Sequence, residues 1–476
     1  MKRLIILAVL CAFVLSAAVA SAADIKASGA WVVEANWNSN WDFRDKGAAQ
    51  GADPDQGAFA ISQRATTTFQ FIANENLKGV LQTRYGTQKW GRKSFTIGAG
   101  DSRDNAADDN RITIRQAYID FNWPDTTVHV RAGYQGVSLP AAFGGGSLIL
   151  DEEIGAAVVS GSITDNVGYL VGYARAVDGD PTEVNTVTNA HIDAYIAAVP
   201  MNFEGFSLAP FGMYAPIGQD VTAARTTMGL RSVNASDNAN GANFDNAYWL
   251  GAAFTMDLFD PFVLKADVNY GAVESKQKKN ERSGWLFDAA LEYKGFDFMT
   301  PEVFFVYTTG EDGNSSKGDG SSERMPVLAA QNWAIGSFFF GGDRLLAGSI
   351  QETNQYMGFW ALGLSLKDIQ SFAEGLTHDF HFIYAKGTNN KNTFDQAIAG
   401  NAAGNYNVAY GRTLTEKDSL WEVDFNTGYK LYDELTLSLD LGYVNLSSKE
   451  ERWGAAGTGL KGGDAWKIST GILYNF

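Results

Sequence analysis

Apolar and polar residues alternate one for one over many short stretches of this chain. In the last stretch, one face carries mostly large apolar and aromatic residues: Trp466, Ile468, Thr470, Ile472, Tyr474 and Phe476. The other face is smaller or polar: Lys467, Ser469, Gly471 and Asn475. Successive side chains of a β-strand point to opposite faces, whereas a helix would mix these residues. The alternation therefore predicts strands with one apolar and one polar face.

The same pattern recurs along the chain. Residues 421–431 and 435–443 alternate in this way with only a short turn between them, which predicts an antiparallel hairpin. Other alternating stretches predict strands at 25–37, 59–71, 248–258, 262–271, 285–294, 356–367 and 376–386. We count about 18 strands, with 16 as the alternative, because segment 311–353 fits either a loop folded inward or one more hairpin.

One predicted strand changes its parity. Ile112 and Ile114 have the opposite phase to Ala117, Ile119 and Phe121. A bulge, which inserts one extra residue into a strand, restores a common apolar face. We therefore predict a β-bulge near Arg115.

The connections between strands alternate between two lengths. Short turns at 74–76, 124–125 and 165–166 alternate with long polar loops at 38–56, 90–110 and 216–243. Short periplasmic turns and long external loops are typical of transmembrane β-barrels. The mean hydropathy of −0.16 fits such a barrel, because only alternate residues of each strand face lipid.

The N-terminus has the features of a secretory signal. Lys2 and Arg3 precede the apolar run 4–15, which is too short to span a bilayer, and small residues follow at 17–23. We predict a signal peptide over residues 1–22 and a barrel domain over 23–476. The only cysteine, Cys11, is then lost with the signal peptide, which leaves no disulfide or thiolate metal site.

The charge balance excludes one class of partner. Without the signal peptide the chain has 35 basic and 54 acidic residues, a net charge of −19. This argues against nucleic acid as a partner. The sequence also predicts no cofactor.

The last eight residues resemble the C-terminal signal that outer-membrane proteins present to the barrel assembly machinery. The resemblance rests on Gly471, Tyr474 and the terminal Phe476. Together with the signal peptide, it places the chain in the outer membrane of a Gram-negative cell.

Residues 115–121 and 128–135 resemble the paired strands that precede the constriction loop of general trimeric porins. Residues 139–145 are similar to the Pro-Glu-Phe-Gly-Gly stretch of that loop, but they lack its acid and contain one additional residue. The best overall resemblance, over residues 23–476, is to the homotrimeric porins of sulfate-reducing bacteria. It implies an inward-folded constriction loop, a homotrimer in lipid and lipopolysaccharide, and passive diffusion of ions and small hydrophilic solutes.

Parity and this resemblance together suggest a pore constriction. Cationic residues with inward parity lie on the early strands: Lys26, Arg64, Arg84 and Arg131. Acidic residues follow the loop motif, and they would face these cations if the segment folds inward: Asp151, Glu152 and Glu153. The expected result is a transverse field that orients water and polar solutes. The alternative is that the arginines only pair with nearby carboxylates of the wall.

The sequence leaves the ion preference open. Later strands direct mainly acids inward, which favours cations: Asp267, Asp288, Glu292, Asp379, Glu422, Asp424 and Asp440, against Lys265, Lys294 and Lys430. The arginines of the constriction favour anions instead.

Other functions remain as alternatives. A solute-specific channel would be expected to line its lumen with aromatics, but most aromatics here have outward parity, with Trp249, Phe304 and Phe359 as exceptions. A plugged structural or adhesive barrel is the other alternative. An enzyme is not expected, because His378 and His381 lie on opposite strand faces and no nucleophile motif is present. The four aspartates at 101, 104, 108 and 109 fit a solvated acidic loop, and we predict no metal ligands.

Small residues of outward parity on the first strand are the expected trimer contacts. They are Ala27, Gly29 and Ala35.

Overall fold

The computed structural model describes most of the chain. The described residues are 24–40, 58–90, 112–178, 191–218, 221, 244–276, 278, 281–313, 323–328, 333–341, 345–346, 357–391, 414–448 and 462–476. The predicted signal peptide and the acidic loop with the four aspartates lie outside these ranges. Among the described residues, no helix is long and apolar enough to cross a membrane.

The described chain is built from antiparallel β-strands. Their bounds are β1 Asp24–Ser39, β2 Ala58–Asn74, β3 Leu77–Lys89, β4 Ile112–Asn122, β5 His129–Ser138, β6 Asp151–Ser162, β7 Gly168–Asp178, β8 His191–Ala198, β9 Met201–Phe203, β10 Phe206–Pro216, β11 Phe244–Phe259, β12 Phe262–Ser275, β13 Arg282–Tyr293, β14 Thr300–Thr308, β15 Phe359–Gln370, β16 Leu376–Gly387, β17 Ser419–Tyr432, β18 Leu435–Ser447 and β19 Gly463–Asn475.

These strands form a closed barrel with 18 wall positions. The short β9 and the preceding β8 both pair with β10, so the two share one position, interrupted at Val199-Pro200. Every other strand pairs with its neighbours in sequence, and β1 pairs with β19 to close the ring. The predicted count of 18 is confirmed, and the alternative of 16 is wrong.

The two faces of the wall differ as the alternation predicts. Outward side chains such as Trp31, Leu250 and Leu362 are 48%, 61% and 54% exposed, whereas the inward Glu34 and Asp267 are 2% and 3% exposed. A closed barrel satisfies all ladder hydrogen bonds within the wall and presents an apolar band to lipid. The outer face is thus the membrane face, and the polar residues surround the lumen.

The predicted bulge is present on β4. Gln82 pairs with Gln116 and the next residue, Thr83, pairs with Ile114, which leaves Arg115 as the extra residue. Ile114 and Ile119 are consequently both exposed on the outer face. The bulge brings the two halves of β4 into one phase.

The barrel closes between β1 and β19, next to the C-terminal residue Phe476. The amide of Gly29 donates to the carbonyl of Phe476 over 2.8 Å, and the amide of Phe476 donates to the carbonyl of Gly29 over 3.0 Å. The rings of Tyr474 and Phe476 stack on the outer face with centroids 5.7 Å apart. Two residues of the predicted assembly signal therefore lie on the lipid-facing side of the seam, while Gly471 faces inward.

The backbone conformation at Gly133 of β5 leads to a prediction about stability. Gly133 has a φ of +133°, and a Cβ there would meet Ala117 O and would lie 2.7 Å from Tyr118 Cα. We expect Gly133→Ala to destabilise the barrel by on the order of 3 kcal/mol, because the new methyl group collides with backbone in a conformation that L-residues disfavour. The thermal midpoint of the heat-modifiable band on gels measures this.

Gly155, on the adjacent strand β6, is the matched control. A Cβ there meets nothing within 4 Å. Gly155→Ala should leave the midpoint unchanged, and an equal loss in both variants would contradict the explanation for Gly133.

Candidate functional site

Two segments of the chain fold into the lumen. The first inward segment, Leu139–Leu150, connects β5 to β6, as the predicted constriction loop does. The second inward segment consists of the described residues 323–328, 333–341 and 345–346, between β14 and β15. For the described part of 311–353, the inward loop is therefore the right alternative. A single bridge, between Ile335 and Gly341, takes the place of a further hairpin there.

Hydrogen bonds hold the first inward segment at its ends and at its middle. Its ends meet where the Leu139 amide donates to the Leu150 carbonyl over 3.0 Å. The amides of Ala142 and Phe143 each donate to the Asp267 carboxylate of β12 over 2.9 Å. The charge of Asp267 thus serves as an anchor for the segment.

This segment packs on an apolar part of the inner wall. Its side chains Leu139, Ile149 and Leu150 are at most 2% exposed. They belong to one buried cluster with inward residues of β6 to β11: Ile154, Ala156, Val158, Ala174, Ile192, Ala194, Ile196, Phe211, Met213 and Trp249. On this side, apolar packing fills the space that water would otherwise occupy.

The second inward segment is held by carboxylates of the opposite wall. The amides of Phe338 and Phe339 donate to Glu422 Oε1 over 3.1 and 3.0 Å, and Ser337 Oγ donates to Asp424 Oδ1 over 3.2 Å. The amide of Leu346 donates to Glu34 of β1. This segment also contacts the first one, because the Leu328 amide donates to the Ile149 carbonyl over 2.9 Å.

The inward aromatics are used as packing surfaces for these segments. Trp249 Nε1 donates to the Pro326 carbonyl over 2.8 Å. Phe304 lies 5.3 Å from Phe143, and Phe359 lies 6.0 Å from Trp333 between ring centroids. The three exceptions that parity singled out are thus inward, and they support the inward segments instead of lining a free path.

The wall of β1 to β5 remains the open side. Most of its inward polar side chains are half-exposed or exposed: Lys26, Thr66, Thr68, Gln70, Lys78, Gln82, Arg84, Gln116, Tyr118, Asp120 and Arg131. Glu34 and Asn36 of β1 and Gln135 of β5 are the buried ones. Because the two inward segments pack on the other walls, the remaining polar path follows this side of the barrel.

An arginine cluster lies on this open wall beside the loop end of β6. Arg64, Arg84 and Arg115 belong to the adjacent strands β2, β3 and β4. Arg115 forms an ion pair with Glu153, and Arg84 feels the charges of Arg64, Arg115, Glu152 and Glu153. The structure therefore brings Arg84 close to Arg64 and to two of the three predicted acids.

The path is narrowed at this level. A terminal nitrogen of Arg64 lies 3.5 Å from the carbonyl oxygen of Leu345, so the second inward segment reaches the arginine cluster.

Two details of the predicted constriction need correction. Asp151, Glu152 and Glu153 do not lie on the inward segment, because they are the first three residues of β6 and pair with Ser138, Val137 and Gly136. Apolar residues make up the tip of the segment instead. The acids reach the arginines from the wall itself.

Arg131 lies apart from the cluster. Arg131 of β5 pairs with Asp120 of β4, and Asp120 pairs with Lys78 of β3. Lys78 is six residues from Arg84 along β3. At about 3.3 Å per residue this is roughly 20 Å toward the short-turn end. There Arg131 lies 6.0 Å from the Tyr118 ring, beside Lys78 and His129, which contact Asp120 at 3.6 and 2.7 Å. The open wall thus has two cationic levels.

Arg115 is the cluster member that parity did not identify. A bulge residue has no fixed parity, so only its position at the phase change pointed to it. The anchoring roles of Glu34, Glu422 and Asp424 could not be found either, since their partners are distant in sequence.

The acids of the later strands are largely engaged. Asp267, Glu422 and Asp424 hold the inward segments as described above. Glu292 contacts Lys265 at 2.9 Å and Lys367 at 2.6 Å, and Lys367 also contacts Glu302 at 2.9 Å. These carboxylates therefore contribute less charge to the path than their number in the sequence suggests.

Comparisons with known proteins show a likeness of fold. No family model and no curated protein matches the chain. Among solved structures, OpdQ of Pseudomonas aeruginosa is 11% identical, with 95% of this chain and 98% of that chain covered and a TM-score of 0.51. OccAB4 of Acinetobacter baumannii and OpdK of Pseudomonas aeruginosa, the latter solved with vanillate, are each 10% identical, with the same coverage and a TM-score of 0.50.

These structures are outer-membrane porins of the OprD/Occ type. At such low identity the likeness shows the fold alone, a closed antiparallel β-barrel.

The two histidines of β16 make contacts within the barrel wall. Within the described ranges, no group of three or more His, Cys, Asp or Glu side chains is arranged to hold a metal. His378 stacks on Phe425 with centroids 5.2 Å apart, while the buried His381 contacts Ser365 Oγ at 2.9 Å. Their opposite faces agree with the sequence prediction.

Proposed function

We propose that this protein is a water-filled outer-membrane porin for passive diffusion of ions and small hydrophilic solutes, and that it favours anions. One observation supports the ion preference above the others. The cations Arg84 and Arg131 remain half-exposed on the open wall, whereas Asp267, Glu422 and Asp424 are at most 3% exposed beneath the inward segments. A solute on the polar path meets the cations first.

Filtering by this site needs no reaction. A polar solute replaces its lost water by hydrogen bonds to the polar side chains of the open wall. An apolar solute forms no such hydrogen bonds, so it does not compensate the water that these side chains lose. The arginine cluster then biases ions by charge at the level where Leu345 narrows the path.

Conductance and reversal potential in planar bilayers test this proposal. The purified wild-type protein should conduct, and a salt gradient should give a reversal potential on the anion side. A conducting channel that prefers cations would contradict the ion preference, and a protein without conductance or liposome swelling would contradict the porin function. The second result would favour the plugged structural or adhesive barrel.

A solute-specific channel is the alternative within transport. The inward Trp249, Phe304 and Phe359 are all in contact with the inward segments, which supports general diffusion over an aromatic ladder. Block of the conductance by micromolar amounts of one solute would instead favour the specific channel.

We further propose a homotrimer formed through the early strands. Outward residues there include small ones on the first strand (Ala27, Gly29, Ala35) and on β4 to β8: Ala117, Ala132, Ala157 and Ala197. Outward residues of the later strands are large and lipid-like: Leu250, Trp285, Phe287, Phe305, Leu362, Phe425 and Trp466. Only a monomer band in unboiled gels would contradict the trimer.

A further inference from the structure

A row of polar side chains crosses four neighbouring strands beneath the second inward segment. Asn426 pairs with Asp440, Asp440 pairs with Ser469, and Ser469 pairs with Asn36 of β1. Directly opposite residues of an antiparallel ladder point to the same face. All four face the lumen, and their exposed fractions are 2%, 1%, 2% and 9%.

Three of the four side chains in this row have a buried oxygen without a hydrogen-bond partner. Asn426 Oδ1, Ser469 Oγ and Asn36 Oδ1 have no hydrogen-bond partner in the described structure. A buried polar group that receives no hydrogen bond costs about 1–3 kcal/mol, so several such oxygens side by side indicate a ligand that satisfies them together. Asp440, in the middle of the row, has interactions of its own and adds a carboxylate to the set.

The second inward segment covers this row. Phe338 packs against Gly442, where an added Cβ would lie 2.8 Å from Phe338 Cβ, and Leu345 packs against Gly471. Gly442 is two residues from Asp440, and Gly471 is two residues from Ser469, so the row lies between the two contacts. The covered side chains therefore border a narrow polar space and not the open path.

The charges that face this space are mostly negative. The described carboxylates on this wall are Glu34, Glu422, Asp424 and Asp440, and the described cations are Lys467 and Arg64. Lys467 Nζ lies 5.9 Å from the centroid of the Phe338 ring, and Arg64 reaches the Leu345 carbonyl. Arg64 is thus directed to the inward segment that covers the row, whereas Lys467 also faces the carboxylates of Glu422 and Asp424.

We propose that Asn426, Asp440 and Ser469 bind a hard cation, with calcium as the preferred ion. Carboxylate, amide and hydroxyl oxygens are ligands that Ca²⁺ accepts at about 2.3–2.6 Å in a flexible geometry. Cβ atoms of directly opposite residues are about 5 Å apart, so an ion beside Asp440 is within reach of oxygens on both neighbouring strands. Magnesium requires shorter, near-octahedral contacts and fits this row less well. The bound ion would fix the covering segment to the wall.

Calorimetric titration of the folded, lipopolysaccharide-free protein with CaCl₂ tests this site. We expect one calcium per chain, a rise of the thermal midpoint by several degrees, and a weaker response to MgCl₂. Asn426→Leu and Ser469→Ala should each lose the calcium response. Asn269→Leu is the control, because Asn269 Oδ1 is also buried without a partner but lies on β12 across the lumen.

The outcomes separate this site from other sources of binding. Wild-type protein without calcium heat or midpoint shift would overturn the proposal. Unchanged calcium binding in Ser469→Ala would also overturn it, since acidic external loops would then be the binding site. If Asn426→Leu does not fold, Ser469→Ala alone decides, because it removes a single oxygen from the row.

Discussion

Removal of the second inward segment should produce a channel of severalfold higher conductance that selects for cations. In this variant, residues 323–346 are replaced by a short Gly-Ser linker. The segment brings four large aromatic side chains into the lumen, and Trp333, Phe338, Phe339 and Phe340 are each at most 1% exposed. Without them the conducting cross-section increases, and the barrel wall with its own hydrogen-bond ladder remains.

The change in selectivity follows from the same removal. Glu422 accepts hydrogen bonds from two backbone amides of the segment, and Asp424 accepts one from Ser337. Without these partners, both carboxylates would face the water of the enlarged lumen and attract cations. Single-channel conductance and reversal potential measure the two effects separately.

The control is a chain in which the same linker is inserted after Gly313 and the segment is kept. It should conduct like the wild type. If the deletion variant also conducts like the wild type, the segment does not limit the path, and the proposed position of the constriction is wrong.

The strands of the barrel wall could be predicted from the sequence because the alternation that defines them involves residues close together along the chain. Alternation alone identified the hairpin of β17 and β18, and the phase change at Arg115 identified the bulge. Both depend on residues close together along the chain, where a period of two fixes the face of each side chain. The interruption of the wall at Val199-Pro200, by contrast, escaped the parity analysis, since β9 has only three residues.

The interior of the lumen could be predicted only in part because its contacts are distant in sequence. Phe338 and Glu422 are 84 residues apart, and Ala142 and Asp267 are 125 residues apart. Parity shows that Glu422 and Asp267 point inward, but it cannot show that backbone amides cover them. The count of inward acids therefore suggested a cation-selective lumen, and their burial now favours the opposite preference.

Reversal of the arginine charges should produce the second large effect. We expect Arg84→Glu to shift the reversal potential toward cations, and Arg64→Glu combined with Arg84→Glu to change its sign. Both arginines lie at the level that Leu345 narrows, where the ion passes close to the wall. A charge change there alters the energy of a passing ion by about 1 kcal/mol after screening, or roughly fivefold in the permeability ratio.

Variants of Arg131 and Glu152 show at which level of the channel the ion preference is set. Arg131→Glu should shift the potential in the same direction but less, because Arg131 lies roughly 20 Å nearer the short-turn end, away from the narrowed level. Glu152→Gln should shift it toward anions, since Glu152 acts on Arg84 with the opposite charge.

Arg175→Gln is the matched control for these charge changes. Arg175 is directly opposite Asp193, to which it donates over 2.9 Å, and both share the outward parity of Tyr173 and Tyr195, which are 36% and 50% exposed. Loss of this charge on the outer face should leave the reversal potential unchanged, because the barrel wall separates it from the path. Equal potentials for Arg84→Glu, Arg131→Glu and this control would show that the arginines of the open wall do not select the ion. If only Arg131→Glu shifts the potential, the selective level lies at the short-turn end, beside Asp120 and Lys78.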